Sequence, residues 1–479
     1  MNPIDAIRPV EWFFLLYFIF TTVFYMLLNY LAVLRVFAHL AETALEKFSV
    51  NYTGLEPPIS LLVPAFNEEK TIATTVYSLL QLEYPEHEIV VVNDGSTDGT
   101  LETLLREFEC EPTPDVYRRD LDTEEVHATY RSRTYRNLRV IDKTNGGKAD
   151  ALNAAINVAR FPLFCSIDAD SILERRSLSR VVLPFIEDSR TVAVGGTVRI
   201  ANGCKVEDGM VIEPALPTGF LPLFQIVEYL RAFLFGRMGW AQINSLLVVS
   251  GAFGLFHRAT VVEVGGYDTQ TLGEDMELTV RMHRILRAAR RDYRITFVPE
   301  PICWTEVPED LRTLRIQRAR WQRGLSESLW SNRRLLFHPQ GGAAGWVGFP
   351  FMVLVEWLSP IVEVFGYAYM FIGLAMGWVD LPVMLVFLAV AVGFGTLLSV
   401  MGLVLEEMSF KVYSHAGQMV RLFAIAVIEN FGFRQLMSVY RLIGTLQWIF
   451  GARHNWGDMQ RRAPWGPDGS TKISATDES

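Results

Sequence analysis

Two aspartates one residue apart, Asp168 and Asp170, follow the nearly all-apolar run Leu163–Ile167. Acids so spaced at the end of a buried strand can share one hard divalent cation, which in turn can bridge a diphosphate. A solvated loop carrying two acids is the alternative, and the apolar strand before it speaks against that. Pro64, Asn67 and Glu68 follow the run Ile59–Val63, and Asp94-Gly95-Ser96-Thr97-Asp98 closes the run Ile89–Asn93. Taken singly, each reads equally well as a turn and helix cap, because Asp-Gly and Ser-Thr-Asp favour turns through local hydrogen bonds. Two at consecutive strand ends are harder to assign to turns alone. Glu274 and Asp275 open a helical pattern. They either complement a helix N-terminus or supply an ionised carboxylate that takes the proton of an attacking hydroxyl.

Further on, Gln317, Arg320, Trp321 and Gly324 lie three and four residues apart and so share one helix face. Arg320 can bind a phosphate oxygen and stabilise a leaving diphosphate, while Trp321 offers a flat apolar surface to a sugar ring. An Arg-rich helix lying at lipid headgroups is the alternative, and Arg312, Arg315, Arg323, Arg333 and Arg334 partly fit it.

These residues need a frame. Between Pro58 and about Glu306, strand-like runs (Ile59–Val63, Ile89–Asn93, Leu138–Ile141, Leu163–Ile167, Val192–Val198) alternate with helical ones (Thr71–Leu82, Thr100–Glu107, Lys148–Ala159). That alternation predicts right-handed βαβ units and a mainly parallel sheet, whose ligands bind beyond the carboxyl ends of the strands. The segment Cys110–Tyr135, rich in charge and tyrosine, breaks the rhythm and reads as a surface excursion or a mobile loop.

The 479 residues suggest two or three units. Half of them are hydrophobic and 20% are charged, against about 25% charged in soluble domains. A net charge of −9 argues against nucleic acid as a partner. Cys110, Cys165, Cys204 and Cys303 show no CxxC spacing and fit reduced, buried thiols in the cytoplasm.

The apolar excess lies at the two ends of the chain. Trp12–Phe37 is long enough to cross ~30 Å of hydrocarbon and too long for a signal-peptide core. Arg35 and Lys47 at or beyond its end, with Asp5 and Glu11 beside Arg8 before it, place the N-terminus outside and the next domain in the cytoplasm. Phe349–Trp378, with a kink expected at Pro360, and Leu381–Leu405 read as two further spans. Met419–Phe450 is interrupted by Glu429, Arg434 and Arg441, and reads as a broken hairpin, a channel-lining segment or an interfacial helix. Phe220–Trp240 fits an amphipathic interface helix, with Gln225, Glu228 and Arg231 spaced by three. Arg453, Arg461 and Arg462 favour a cytoplasmic C-terminus, and the tail from Pro464 reads as disordered. The expected domains are 1–45 (membrane helix), 46–340 (catalytic, with interface helices at about 219–240 and 311–338), 341–463 (membrane) and 464–479 (tail).

In this order and with these flanks, the five polar elements resemble the membrane-bound family 2 glycosyltransferases over roughly Pro58–Gly324. These are the cellulose, hyaluronan, chitin and poly-N-acetylglucosamine synthases, the last being closest in size and plan. The resemblance implies an α/β GT-A type nucleotide-sugar-binding domain, with a mainly parallel, Rossmann-like sheet, flanked by N- and C-terminal transmembrane helices. It implies an integral membrane protein of the bacterial inner membrane with its catalytic domain in the cytoplasm. Asp94, with Pro64, Asn67 and Glu68, would hold the uracil and ribose of a UDP-sugar. Lys148, in Asn145-Gly146-Gly147-Lys148, would approach the diphosphate, although GxxxxGK[ST] spacing is missing and this is no P-loop. Asp168 and Asp170 would hold Mg2+ or Mn2+. Asp275, with Glu274 beside it, would be the general base of a single displacement that inverts the anomeric centre and gives a β-linkage. Gln317, Arg320 and Trp321 would shape the leaving-group and acceptor site, and Gly251, in a segment that ends another predicted strand, would line the acceptor channel. The implied partners are a UDP-sugar, a polysaccharide or lipid-linked acceptor and membrane lipids, with no nucleic acid and room for an accessory subunit. Transfer of one sugar to a lipid is the alternative within this fold, and a non-catalytic membrane scaffold is the alternative outside it. The insertion Cys110–Tyr135 departs from the family in length.

Overall fold

The computed structural model describes residues 3–46, 54–114, 117–207, 209–413 and 415–451. Lys47, Arg453, Arg461, Arg462 and the tail from Pro464 lie outside them, as do the side chains of Asp5 and Arg8. The chain forms two compact units, one built from Ser49–Thr218 and Val248–Val307, the other from Met1–Phe48, Gly219–Leu247 and Pro308–Gly457.

The first unit is α/β. Its strands are β1 (Ile59–Ala65), β2 (His87–Asp94), β3 (Cys110–Pro112), β4 (Val126–Ser132), β5 (Leu138–Lys143), β6 (Leu163–Ile167), β7 (Ile172–Leu173), β8 (Thr191–Ile200), β9 (Lys205–Glu207), β10 (Met210–Glu213), β11 (Phe253–His257) and β12 (Arg294–Thr305). Ten of them form one sheet in the order β3-β4-β5-β2-β1-β6-β11-β8-β12-β7, and β9 pairs with β10 apart from it. The central ladders β5-β2-β1-β6 are parallel. Their strands are buried on both faces, which is why they read as largely apolar runs. Helices Ile72–Leu80, Thr100–Glu107 and Lys148–Val158 make the crossovers.

Register decides which residues meet. Asp94 of β2 pairs with Lys143 of β5, so both strands finish at the same edge. β11 runs antiparallel to β6, with Phe253 opposite Ile167. The segment Ser250–Ala252 therefore precedes a strand, whereas the sequence placed it at a strand's end. Because that strand is antiparallel, Gly251 still arrives at the carboxyl end of β6.

Of the two readings of Cys110–Tyr135, the structure fits the surface excursion and not the mobile loop. Both β3 and β4 are ordered, β4 pairing antiparallel with β5 and β3 pairing with β4. The charged side chains hide the strand because this edge of the sheet is only half-buried.

The second unit is helical. Helices within Pro9–Ala38, Ala344–Ala375 and Leu381–Ser409 are each long and apolar enough to cross a membrane. Ala416–Ile428 and Phe433–Ile449 pass that test only as a pair, bent by 59°. Pro360 is not a mid-helix kink. It lies in the first turn of the helix Ser359–Ala375, where its missing N–H is tolerated, and the irregularity precedes it as a π-helical stretch, Met352–Trp357. The expected interface helix is likewise divided, into Phe220–Leu230, a π-helical Arg231–Arg237 and Met238–Gln242.

In hydrocarbon, apolar burial cannot hold helices together, so close approach and internal hydrogen bonds must. Gly444 allows the approach: a Cβ there would fall on the carbonyl oxygen of Ala319. The polar residues of Phe433–Ile449 supply the bonds. Gln435 donates to the Tyr367 hydroxyl at 3.0 Å, Ser438 to Glu363 at 2.5 Å and Arg441 to Gln322 at 2.9 Å. Glu429, fully buried, accepts from Arg231 at 2.8 Å and from Ser399 at 2.5 Å.

Candidate active site

The carboxyl edge of β1, β2, β5 and β6 gathers most of the expected residues. Asn67 has a positive φ of 55°, and its side-chain oxygen accepts from the Thr97 amide at 2.8 Å. The Asn67 amide in turn donates to Ser96 at 3.0 Å, and Glu68 N donates to Thr100 at 2.8 Å. The loops after β1 and β2 are thus laced together, with Pro64 within β1 itself. Glu68 also accepts from the Thr71 hydroxyl at 2.7 Å.

Asp94 is only 3% exposed. One carboxylate oxygen accepts from Lys143 at 2.6 Å and from Gly146 N at 3.0 Å, and the other accepts from Gly147 N at 2.8 Å. Burial raises its pKa, with Lys143 and the two amides pulling the other way. Gly147, at φ 86°, makes the turn into the helix that begins with Lys148.

Lys148 is the centre of the charge cluster. Its ammonium lies 2.6 Å from Asp168 Oδ1, 3.3 Å from Glu274 Oε1 and 3.5 Å from the Gly251 carbonyl. Burial alone would lower its pKa, but the charges of Asp168, Glu274 and Asp275 outweigh burial and raise it. Asp168 and Asp170 flank a turn closed by Ser171 N donating to Asp168 O, and Asp170 is the more buried of the two.

Asp275 sits in the first turn of the helix Glu274–Ala288. Its carboxylate is oriented by two amides, Gly251 N at 2.8 Å and Met276 N at 2.7 Å. A side chain at Gly251 would crowd the cluster, since a Cβ would lie 3.0 Å from Lys148 Nζ and 3.3 Å from Asp275 Oδ2.

Tyr267 belongs to this cluster although nothing in the sequence pattern marked it. It is buried, its hydroxyl pairs with Ser166, and burial pushes its pKa up. Its backbone is clamped by Asn153, which donates to Tyr267 O at 2.9 Å and accepts from Tyr267 N at 2.8 Å.

In the helical unit, Gln317, Arg320 and Trp321 lie on the helix Leu311–Ser331, whose first turn is capped by Asp310 accepting from Thr313 N at 2.9 Å. Gln317 is buried, Arg320 half-buried and Trp321 exposed. Arg318 emerges as a partner of this segment: its guanidinium lies 4.3 Å from the centre of the Trp321 ring and 2.7 Å from Glu228.

Two hard carboxylates beside a turn suit Mg2+ or Mn2+, and the Lys148 ammonium at 2.6 Å stands where positive charge is favoured. Among the described residues no group of three or more His, Cys, Asp or Glu could hold a metal. A cation shared with a diphosphate and water, needing only two protein ligands, fits that donor set.

The family described as "glycosyltransferase like family 2" matches residues 57–324. A poly-beta-1,6-N-acetyl-D-glucosamine synthase of Staphylococcus epidermidis is 29% identical over 271 residues, 57% of this chain and 55% of that protein. One of the same name from Staphylococcus aureus is 31% identical over 286 residues, 59% of this chain and 58% of that protein. The chain therefore spans little more than half the length of these curated relatives. In fold it is similar to a mannosyltransferase from Pyrobaculum calidifontis, solved in complex with GDP-Man and Mn2+, with a TM-score of 0.50 and 17% identity over 90% of this chain and 99% of that one.

Proposed function

Because the chain belongs to glycosyltransferase-like family 2, we propose that it is a membrane-bound, inverting transferase that moves a sugar from a UDP-sugar to a growing β-linked polysaccharide on the cytoplasmic side. The observation that carries this reading is the cluster at the carboxyl edge of the sheet, where Lys148, Asp168, Glu274, Asp275 and Gly251 converge. An ammonium there can neutralise a diphosphate. An amide-held carboxylate beside it can accept a proton.

Pro64, Asn67 and Glu68 line the loop next to which the nucleoside would lie. Asp168 and Asp170 would hold Mg2+ or Mn2+, whose chemistry is to screen the diphosphate as it departs. The acceptor hydroxyl oxygen forms a bond to C1 of the sugar while the bond from C1 to the β-phosphate oxygen breaks. Asp275 takes the hydroxyl proton, UDP carries off the bonding electrons, and Glu274 and Asp168 hold Lys148 in place. One displacement of this kind inverts C1. Gln317, Arg320 and Trp321 keep the roles their motif implies, in leaving-group and acceptor recognition.

The test is UDP release from a panel of UDP-sugars with Mg2+ or Mn2+, in detergent or nanodiscs, with products sized on a gel. Metal-dependent release and long polymer from one donor are expected, and Asp275→Asn should lower turnover roughly 10²–10⁴-fold. Release giving only a lipid-linked monosaccharide would replace the polymerase reading by single transfer. Undiminished turnover in Asp275→Asn would remove Asp275 as the base.

A further inference from the structure

Lys143 is fully buried and ends β5, opposite Asp94 of β2. An ammonium has three N–H donors, and here all three are used. They reach Asp94 Oδ1 at 2.6 Å, Asp150 Oδ1 at 2.6 Å and the Thr144 carbonyl at 2.6 Å. Asp150, 5% exposed, lies in the first turn of the helix that Lys148 opens. It also accepts from Glu124 N at 3.1 Å. Asp94 passes the link onward, its carboxylate also accepting from Gly146 N and Gly147 N. Gly146 cannot carry a side chain, because a Cβ would lie 2.6 Å from the Asp150 carboxyl carbon.

We propose that Lys143 is a positioning residue for Lys148: held between Asp94 and Asp150, it fixes the turn Asn145–Gly147 and with it the place where Lys148 meets Asp168 and Glu274. In this positioning Asp94 acts through the loop. Two buried carboxylates facing each other without this cation would repel or take up a proton, and the turn would lose the acceptor that orders its amides. An unpaired buried carboxylate is costly enough that the trio has to be kept or lost together. The proposal rests on the reading of Lys148 as the diphosphate-binding residue, so its test needs one readout that does not depend on turnover.

That readout is hydrogen–deuterium exchange of the peptide covering Thr144 to Asp150, compared between the intact protein and Lys143→Met. The variant should exchange faster at Gly146 and Gly147, while peptides from β1 and β6 keep their protection. In the UDP-release assay it should raise the donor KM roughly tenfold, the equivalent of one charge-assisted contact, with a smaller change in kcat. Lys143→Arg, which can still bridge both acids, should recover part of the KM. If Lys143→Met does not fold, Asp94→Asn takes its place, since it keeps the Lys143–Asp150 pair and removes one acceptor from the turn. Unchanged exchange at 144–150 would overturn the link from Lys143 to the turn. Faster exchange with an unchanged KM and a lowered kcat alone would reduce Lys143 to a structural role. An intact protein that turns over no donor, with the exchange difference present, would count against the proposed function and leave the link standing.

Discussion

Gly251 is squeezed between two charges of opposite sign, the Lys148 ammonium and the Asp275 carboxylate, and hydrogen-bonds to both through its own backbone. A methyl group placed there meets Lys148 Nζ at 3.0 Å, close enough that the lysine must move. Gly251→Ala should therefore fold normally and lose turnover, by about 10-fold or more if the ammonium shifts by a fraction of an ångström. Steady-state UDP release beside a thermal melt separates that from misfolding. Asp168 makes a second case. Its carboxylate holds Lys148 and would share the metal with Asp170, so Asp168→Asn should both weaken the lysine's anchoring and raise the Mn2+ concentration needed for half-maximal activity. Metal titration checks it, and an unshifted midpoint would place the metal elsewhere. Residues of this kind were legible because acids at the ends of apolar runs stand out. Lys143 was not, since a lysine reads as solvent-facing until its two carboxylate partners are located in space. Tyr267 was missed for a related reason: the side chain that fixes its position, Asn153, comes from a distant helix.

Elements fared according to how burial marks them. β1, β2, β5 and β6 were visible because both their faces are covered, so most of their residues are apolar. β4, with only one well-buried residue, offers no such run, and its segment reads as a surface excursion or a mobile loop. The apolar run before Gly251 misled in the opposite sense, reading as a strand that ends there. Leu246, Leu247 and Val249 are buried without belonging to a strand, so apolarity there reported burial and not a ladder. In the helical unit the informative element is the short π-helical Arg231–Arg237, which brings Arg231 to Glu429 and Ser399. Leaving Glu429 buried without its cation, as in Arg231→Leu, should destabilise the unit by roughly 3–5 kcal/mol, whereas removing both charges in Arg231→Leu/Glu429→Leu should restore most of that loss. Melting temperatures in detergent give the order: wild type and double variant high, single variant low. A single variant as stable as wild type would mean that the pair is not desolvated.

At the scale of the whole chain, the parity of the candidate spans sets the side on which the chain's end would lie. Under the proposed topology, with the N-terminus outside, the candidate span Pro9–Ala38 would lead into the cytoplasm, and Ala344–Ala375 with Leu381–Ser409 would lead out and back again. The bent pair Ala416–Ile428 and Phe433–Ile449 then either crosses, putting Gly451 outside, or re-enters, leaving it inside. Two features favour re-entry. The pair bends by 59° at Glu429–Gly432, and its second helix presents Gln435, Ser438 and Arg441 to polar partners within the unit, a pattern suited to a segment sheltered by protein and not by lipid. Arg453, Arg461 and Arg462 add a charge bias in the same direction. A fluorescent protein fused after Ser479 should thus mature and fluoresce in the cytoplasm, and a phosphatase fused at the same point should be inactive. An active phosphatase would make the pair a fourth crossing. It would also require the polar face of Phe433–Ile449 to run the full depth of the membrane, where each of those side chains must find its partner among the helices of its own unit.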